Sequence, residues 1–193
     1  VAAAVPRAAR TERISPSALN PPWRQFVDDA LQARSGFHGA LQGARSGPLR
    51  ERLSDIAARV DTGVEECWRI AQRGHELTEA RRRIDTSQAE RELGELPKGG
   101  AASPALRQTI EALEAQLASA RRMDDVIVDA RDQLRLLNAR LDEAVARAVE
   151  LSVRAGDTAD LSGLGDTIDN LVHDMEALRQ GLDAVGGPRA ATS

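Results

Sequence analysis

Aromatic side chains are scarce in this chain: 2% of its 193 residues, namely Trp23, Phe26, Phe37 and Trp68, with no tyrosine. A globule with one thick core relies on such bulk. The core expected here is a thin seam of Leu, Ile, Val and Ala, the composition of helical bundles and coiled coils. There is one cysteine, Cys67, so no internal disulfide can form. At a helical seam position it reads as a small buried hydrophobe. No run of roughly 18 apolar residues occurs, so no transmembrane helix is expected within the sequence. Lys98 is the one lysine among 26 basic residues, an arginine bias that fits a GC-rich genome. Neither arginine-rich DNA-reading helices nor an aromatic-basic RNA platform is present, which excludes nucleic acid as the expected partner.

Catalytic and ligand motifs are missing as well. A four-helix di-metal centre needs paired Glu-x-x-His motifs, and none occurs among the three histidines, His38, His75 and His173. Asp169, His173 and Glu176 share one helix face and read as a solvated surface rather than a metal site. Gly163 and Gly165 lack the preceding strand and following lysine of a phosphate cradle. A nucleophile at Cys67 would need a basic, partly exposed setting, and the seam position argues for burial. No enzyme, cofactor or metal is expected.

What is present is charge segregated by position. Net charge is −4, but residues 1–46 carry six Arg against three acids, and residues 156–193 carry two Arg against seven acids. Arg7, Arg10 and Arg13 follow the apolar stretch 1–5 and Pro6. Three readings stay open for this segment. Val1 can be a GTG start codon; residues 1–5 can be the end of an upstream apolar segment with the arginines as its cytoplasmic flank; or the stretch is a plain disordered tail. On the second reading Arg7, Arg10 and Arg13 are membrane-proximal. A cytoplasmic location, at the inner face of the cell membrane if that flank is real, is the expectation.

Helical periodicity fills the rest. Asn20, Pro21 and Pro22 lead into a helix whose apolar positions run from Trp23 to Leu41 at three-to-four spacing. Gly47 and Pro48 break it and begin a second helix. There Leu49, Ile56, Gly63, Ile70, Leu77 and Ile84 alternate with Leu53, Val60, Cys67, Gly74 and Arg81 as an a/d seam of five heptads. Gly63, Cys67 and Gly74 leave its middle thin. Asp85 or Thr86 can cap a short helix through Leu93 and Leu96, and residues 97–103 form the plainest turn. From Ser103 no Pro or Gly intervenes until Gly156, predicting one helix of about 52 residues, roughly 78 Å long. Adjacent threes at Leu117, Ala120 and Met123 make a stammer. Leu136, Val145 and Val149 widen the stripe of its second half. Residues 156–165 read as a turn leading into a last helix, whose apolar positions Leu161, Leu164, Ile168, Leu171, Met175, Leu178, Leu182 and Val185 alternate three and four.

The fold class expected is all-α: an antiparallel four-helix bundle extended by a two-stranded antiparallel coiled-coil arm. Residues 1–19 read as a disordered basic tail or juxtamembrane linker, 20–186 as the helical body with the arm at about 75–125, and 187–193 as a disordered tail. Folding the first helix onto the second about residues 46–47 sets Trp23 opposite Ile70, with Trp68 close by, and Phe26 opposite Cys67. Asp124, Arg131 and Asn138 fall seven apart in line with Ile110 and Leu117. They form either a polar track contacting a partner or, if the seam turns at the stammer, an exposed row.

Residues 20–27 (Asn-Pro-Pro-Trp-Arg-Gln-Phe-Val), 47–53 (Gly-Pro-Leu-Arg-Glu-Arg-Leu), Cys67-Trp68-Arg69-Ile70 and 134–151 together resemble the cytoplasmic region of uncharacterised actinobacterial membrane proteins. Some of these are similar to phage-shock envelope-stress accessory components. The likeness covers most of the chain, rests on helical patterning and a few aromatics, and lacks the membrane segment itself. It implies membrane association and carries over no catalytic residue. The function expected is a coiled-coil scaffold that meets a protein partner or itself through helices; the alternative is a soluble regulatory or chaperone-like bundle that holds a client.

Overall fold

In the computed structural model, residues 14–44, 47–97, 103–153 and 158–186 are described. The described residues form helices joined by short turns, with no strand among them: α1 (Trp23–Gly43), α2 (Pro48–Arg82), α3 (Thr86–Glu95), α4 (Pro104–Val153) and α5 (Thr158–Gly186). The class is all-α and the packing is that of a helical bundle. None of these helices is long and apolar enough to cross a membrane. Arg7, Arg10 and Arg13 lie outside the described residues.

Local chemistry explains most boundaries. Gly47 has φ 135° and ψ −168°, a region open in practice only to glycine, and it turns the chain into Pro48 at the first position of α2. Asp85 Oδ1 accepts from the Gln88 amide at 2.9 Å, capping α3. Ser103 Oγ does the same for the Leu106 amide at 3.2 Å. From there α4 runs 50 residues, about 75 Å.

Two expected boundaries move. Asn20 does not cap α1: its side-chain amide donates to Glu79 Oε1 at 3.4 Å instead. The folded part also starts before residue 20. Leu19 is 3% exposed, and Arg24 holds the Pro16–Ala18 turn by donating to the Leu19 carbonyl at 2.9 Å and the Ser17 carbonyl at 3.2 Å. At the other end, α5 already includes 158–165, where a turn was expected. A Cβ at Gly165 would lie 3.5–4.0 Å from Arg59 and Ile56, so packing on α2 outweighs the weak helix propensity of the glycines, about 1 kcal/mol each.

Side-chain pairings give the directions. Trp23 meets Gly74 and Thr78, so α1 and α2 are antiparallel. Cys67 lies near Asn138 and Arg81 near Asp124, so α2 and α4 are antiparallel as well. Gly36 faces Val145, making α1 parallel to α4; Gly63 faces Leu171 and Met175, making α5 parallel to α2. Helices α1 and α5 each pack on both α2 and α4, and α3 packs on α4.

The thin layers of α2 are filled from two sides. At Gly74 a Cβ would collide with the Trp23 ring, and the indole Nε1 donates to Thr78 Oγ1 at 3.0 Å. Trp23 therefore sits one helical turn beyond the expected Ile70. At Gly63 the space is taken by Leu171, Val172 and Met175 of α5, with Cβ distances of 3.6–3.8 Å. Close approach also occurs at Gly36, where Val145 Cγ1 lies 3.0 Å from a Cβ position.

Candidate interaction surface

The polar track is engaged inside the chain. Asn138 is 6% exposed; its side-chain amide donates to the Phe26 carbonyl at 2.8 Å. The Cys67 thiol donates to the same carbonyl at 3.6 Å and lies 3.9 Å from Asn138 Oδ1. Three helices thus share one satisfied polar node, the arrangement by which a single buried amide sets register. Arg131 stacks over Trp23, 5.6 Å from the ring centroid, a geometry that stabilises a partly dry guanidinium. Asp124 accepts from Arg81 Nε at 2.9 Å and remains half exposed. Burial, and secondarily the charge of Asp29, push the Cys67 thiol up to about 12, which leaves it protonated and inert as a nucleophile.

A second cluster escaped the sequence. Glu66 is 4% exposed on α2. It pairs with Arg69 on its own helix and accepts from Arg179 Nε of α5 at 2.9 Å. Arg179 donates onward to Asp183 at 3.0 Å. Its hydrogen bond to Glu66 raises the Arg179 pKa further, and the pair ties α5 to α2. Glu66 stands one residue before the seam position Cys67, and that offset was its only sequence signal; its partner lies more than a hundred residues away.

The histidines form no shared centre. His38 Nε2 is 3.1 Å from Asp61 Oδ1, while Asp169 accepts from Arg59 Nη1 at 2.6 Å beside an exposed His173. Among the described residues no group of three or more His, Cys, Asp or Glu is arranged to hold a metal ion.

What is left open is apolar. The exposed large hydrophobics among the described residues are Val128, Leu136, Val149, Val153 and Val185, all on α4 or α5. Val145 packs on α1 as the widened stripe foretold, whereas Leu136 and Val149 stay 52% and 44% exposed. A groove of about 570 Å³ runs between α4 and α5, lined by Val126, Leu136, Leu178, Leu182 and Val185, with Asp129 and Arg140 along it. It meets a second hollow of about 870 Å³ where α5 ends beside α2 and α4, lined by Leu77, Ala80, Met123, Val126 and Val185. Residue types of this kind in a long open groove suit a helix face rather than a small molecule with converging polar anchors.

Comparison of the chain with protein-family models, with curated proteins and with solved structures finds no match in any of the three.

Proposed function

We propose that the protein is a non-enzymatic scaffold acting through helix–helix contacts: a four-helix bundle of α1, α2, α4 and α5, prolonged by an arm in which α3 and the end of α2 lie along the first part of α4. The observation that carries this reading is the open groove between α4 and α5, whose apolar lining of Val126, Leu136, Leu178, Leu182 and Val185 includes two of the exposed large hydrophobics, Leu136 and Val185. A contiguous apolar lining open to solvent marks an interaction site. The buried polar node and the Glu66–Arg179 pair add support, since they hold the helices that form the groove in one register.

The resemblance to the cytoplasmic regions of phage-shock-accessory-like actinobacterial proteins, together with Arg7, Arg10 and Arg13, places the scaffold in this proposal at the inner face of the cell membrane. Anionic headgroups attract such a basic flank by about 1 kcal/mol per arginine.

A photo-crosslinker at Val185, used in the cells that make the protein, is expected to give adducts with helical partners. The same probe at Asp55, on the exposed face of α2, is expected to give none. Equal or absent adducts at both positions, with no self-association in sedimentation, would contradict the scaffold. Co-pelleting with anionic vesicles that is lost when Arg7, Arg10 and Arg13 become alanine tests the membrane part separately.

The groove also supports the alternative of a bundle that binds a protein client. Dye binding to the free protein, displaced by unfolded clients in general, would favour it over a dedicated scaffold.

A further inference from the structure

Helix α4 carries a stripe that its neighbours in the chain leave to solvent. At its centre Leu136 is 52% exposed. Toward the N-terminus follow Asp132, Asp129 and Asp125, and toward the C-terminus Arg140, Glu143 and Arg147, all exposed. At about 100° per residue these side chains lie within about 40° of the direction of Leu136. The stripe is acidic from 125 to 132 and mainly basic from 140 to 147, so this stretch is complementary to itself when reversed.

We propose that this stripe is an interface with a second copy of the chain, the two α4 helices packing antiparallel about a two-fold axis at Leu136. Reversal about Leu136 sets Asp132 against Arg140 and Asp125 against Arg147. Asp129 falls opposite Glu143, the one like-charged pair. The axis repeats each contact, so unlike pairs outnumber like pairs two to one. The apolar part fits the same operation. Leu136 forms the rim of the α4–α5 groove, and across it a Cβ at Gly181 would meet nothing within 4 Å. Leu136 of the second copy then has an open slot beside its counterpart. The existing partners of these charges do not prevent it. Arg140 with Asp174, Arg147 with Glu143 and Arg135 with Asp132 are all exposed pairs, worth little individually and easily shared. The inference rests on the reading that the chain acts through helix contacts, and it names one of those contacts.

The test uses the full chain with Leu136→Cys. Cys67 is buried and does not compete, so the new thiol reports its own surroundings. On mild oxidation L136C is expected to form mostly disulfide-linked dimer. Val128→Cys, equally exposed but about 80° round the helix, is expected to remain mostly monomer. Arg140→Asp in the L136C background should cut the dimer yield several-fold, and adding Asp132→Arg should restore it. Equal cross-linking at 128 and 136, or a yield indifferent to the charge changes, would overturn the interface. A wild-type chain that sediments as monomer but gives Val185 adducts with another protein would also overturn it, while leaving the scaffold reading intact. Loss of both would remove the two together.

Discussion

The two ends of α4 live in different surroundings, although one periodic sequence builds both. From Ile127 to Ala148 the buried face of the helix meets α1, α2 and α5, and its Leu134, Leu141, Ala144 and Ala148 are essentially sealed from water. Nearer its start, Leu113 and Leu117 close over Ala89 of α3, with Leu93 and Leu96 only partly covered. Small residues serve opposite ends in the two regions. In the bundle, Gly74, Gly36 and Ala144 admit an indole or a neighbouring helix. Nearer the start of α4, Ala89 sits under Leu113 and Leu117, with Leu93 and Leu96 at the edge of the cluster. Where α4 packs on the short α3 it has less surface to bury than where it meets α1, α2 and α5, so stability along α4 should fall from its second half to its first.

The largest effect should come from the bundle. Trp23→Ala removes the indole from the Gly74 notch along with its hydrogen bond to Thr78 and its stack with Arg131. A loss of about 4 kcal/mol is expected, read as a lower denaturant midpoint. Next is Glu66→Gln, which leaves Arg69 and Arg179 facing a neutral partner. Because Arg179 is partly wet, a loss of about 2 kcal/mol is expected, with the loosening seen first in α5 amide exchange.

Leu113→Ala would cost about 2 kcal/mol if the site could not collapse. At this end of α4 the effect should stay local, raising exchange in α3 while the main thermal transition hardly moves. A fall in that transition as large as the one for W23A would erase the distinction between the two regions.

The smallest effect concerns Asp142. Its pKa is raised by partial desolvation and by the nearby Asp29 charge, so the folded state holds this proton more tightly than the unfolded chain. The carboxylate is therefore a slight burden when ionised, relieved as pH falls through the raised pKa. Asp142→Asn should stabilise the protein at neutral pH by no more than about 0.3 kcal/mol, given screening by water. The gain should vanish in acid, which thermal melts at both pH values would show.

Much of this was legible from spacing alone. Ser103 and the absence of Pro and Gly through 155 predicted α4 almost to the residue, and Asp85 as a cap predicted α3. Of the two pairings expected between α1 and α2, Phe26 meets Cys67 through its carbonyl, whereas Trp23 lies one turn beyond Ile70. Reflecting the chain about a loop assumes equal arms, whereas the indole settles where Gly74 makes room and Thr78 accepts its proton. The start of α5 was blurred because Gly163 and Gly165 read as turn residues although Leu161 and Leu164 already keep helical spacing; the packing of Gly165 on Ile56 and Arg59 is what spacing does not show. Asn138 was singled out by heptad spacing, but its acceptor is a backbone carbonyl on another helix, which no side-chain pattern encodes. The Glu66–Arg179 pair stayed hidden for the related reason that its two halves are 113 residues apart on different helices. Leu136 and Val149 were seen to widen the stripe, yet spacing could not tell which residue of that wider stripe finds a helix within the chain. Val145 does; Leu136 does not.

Amide hydrogen exchange followed along α4 tests the contrast most directly. The account predicts strong protection from about residue 127 to 148 and markedly faster exchange from 106 to about 120 within the same helix. Uniform protection over its whole length would contradict it.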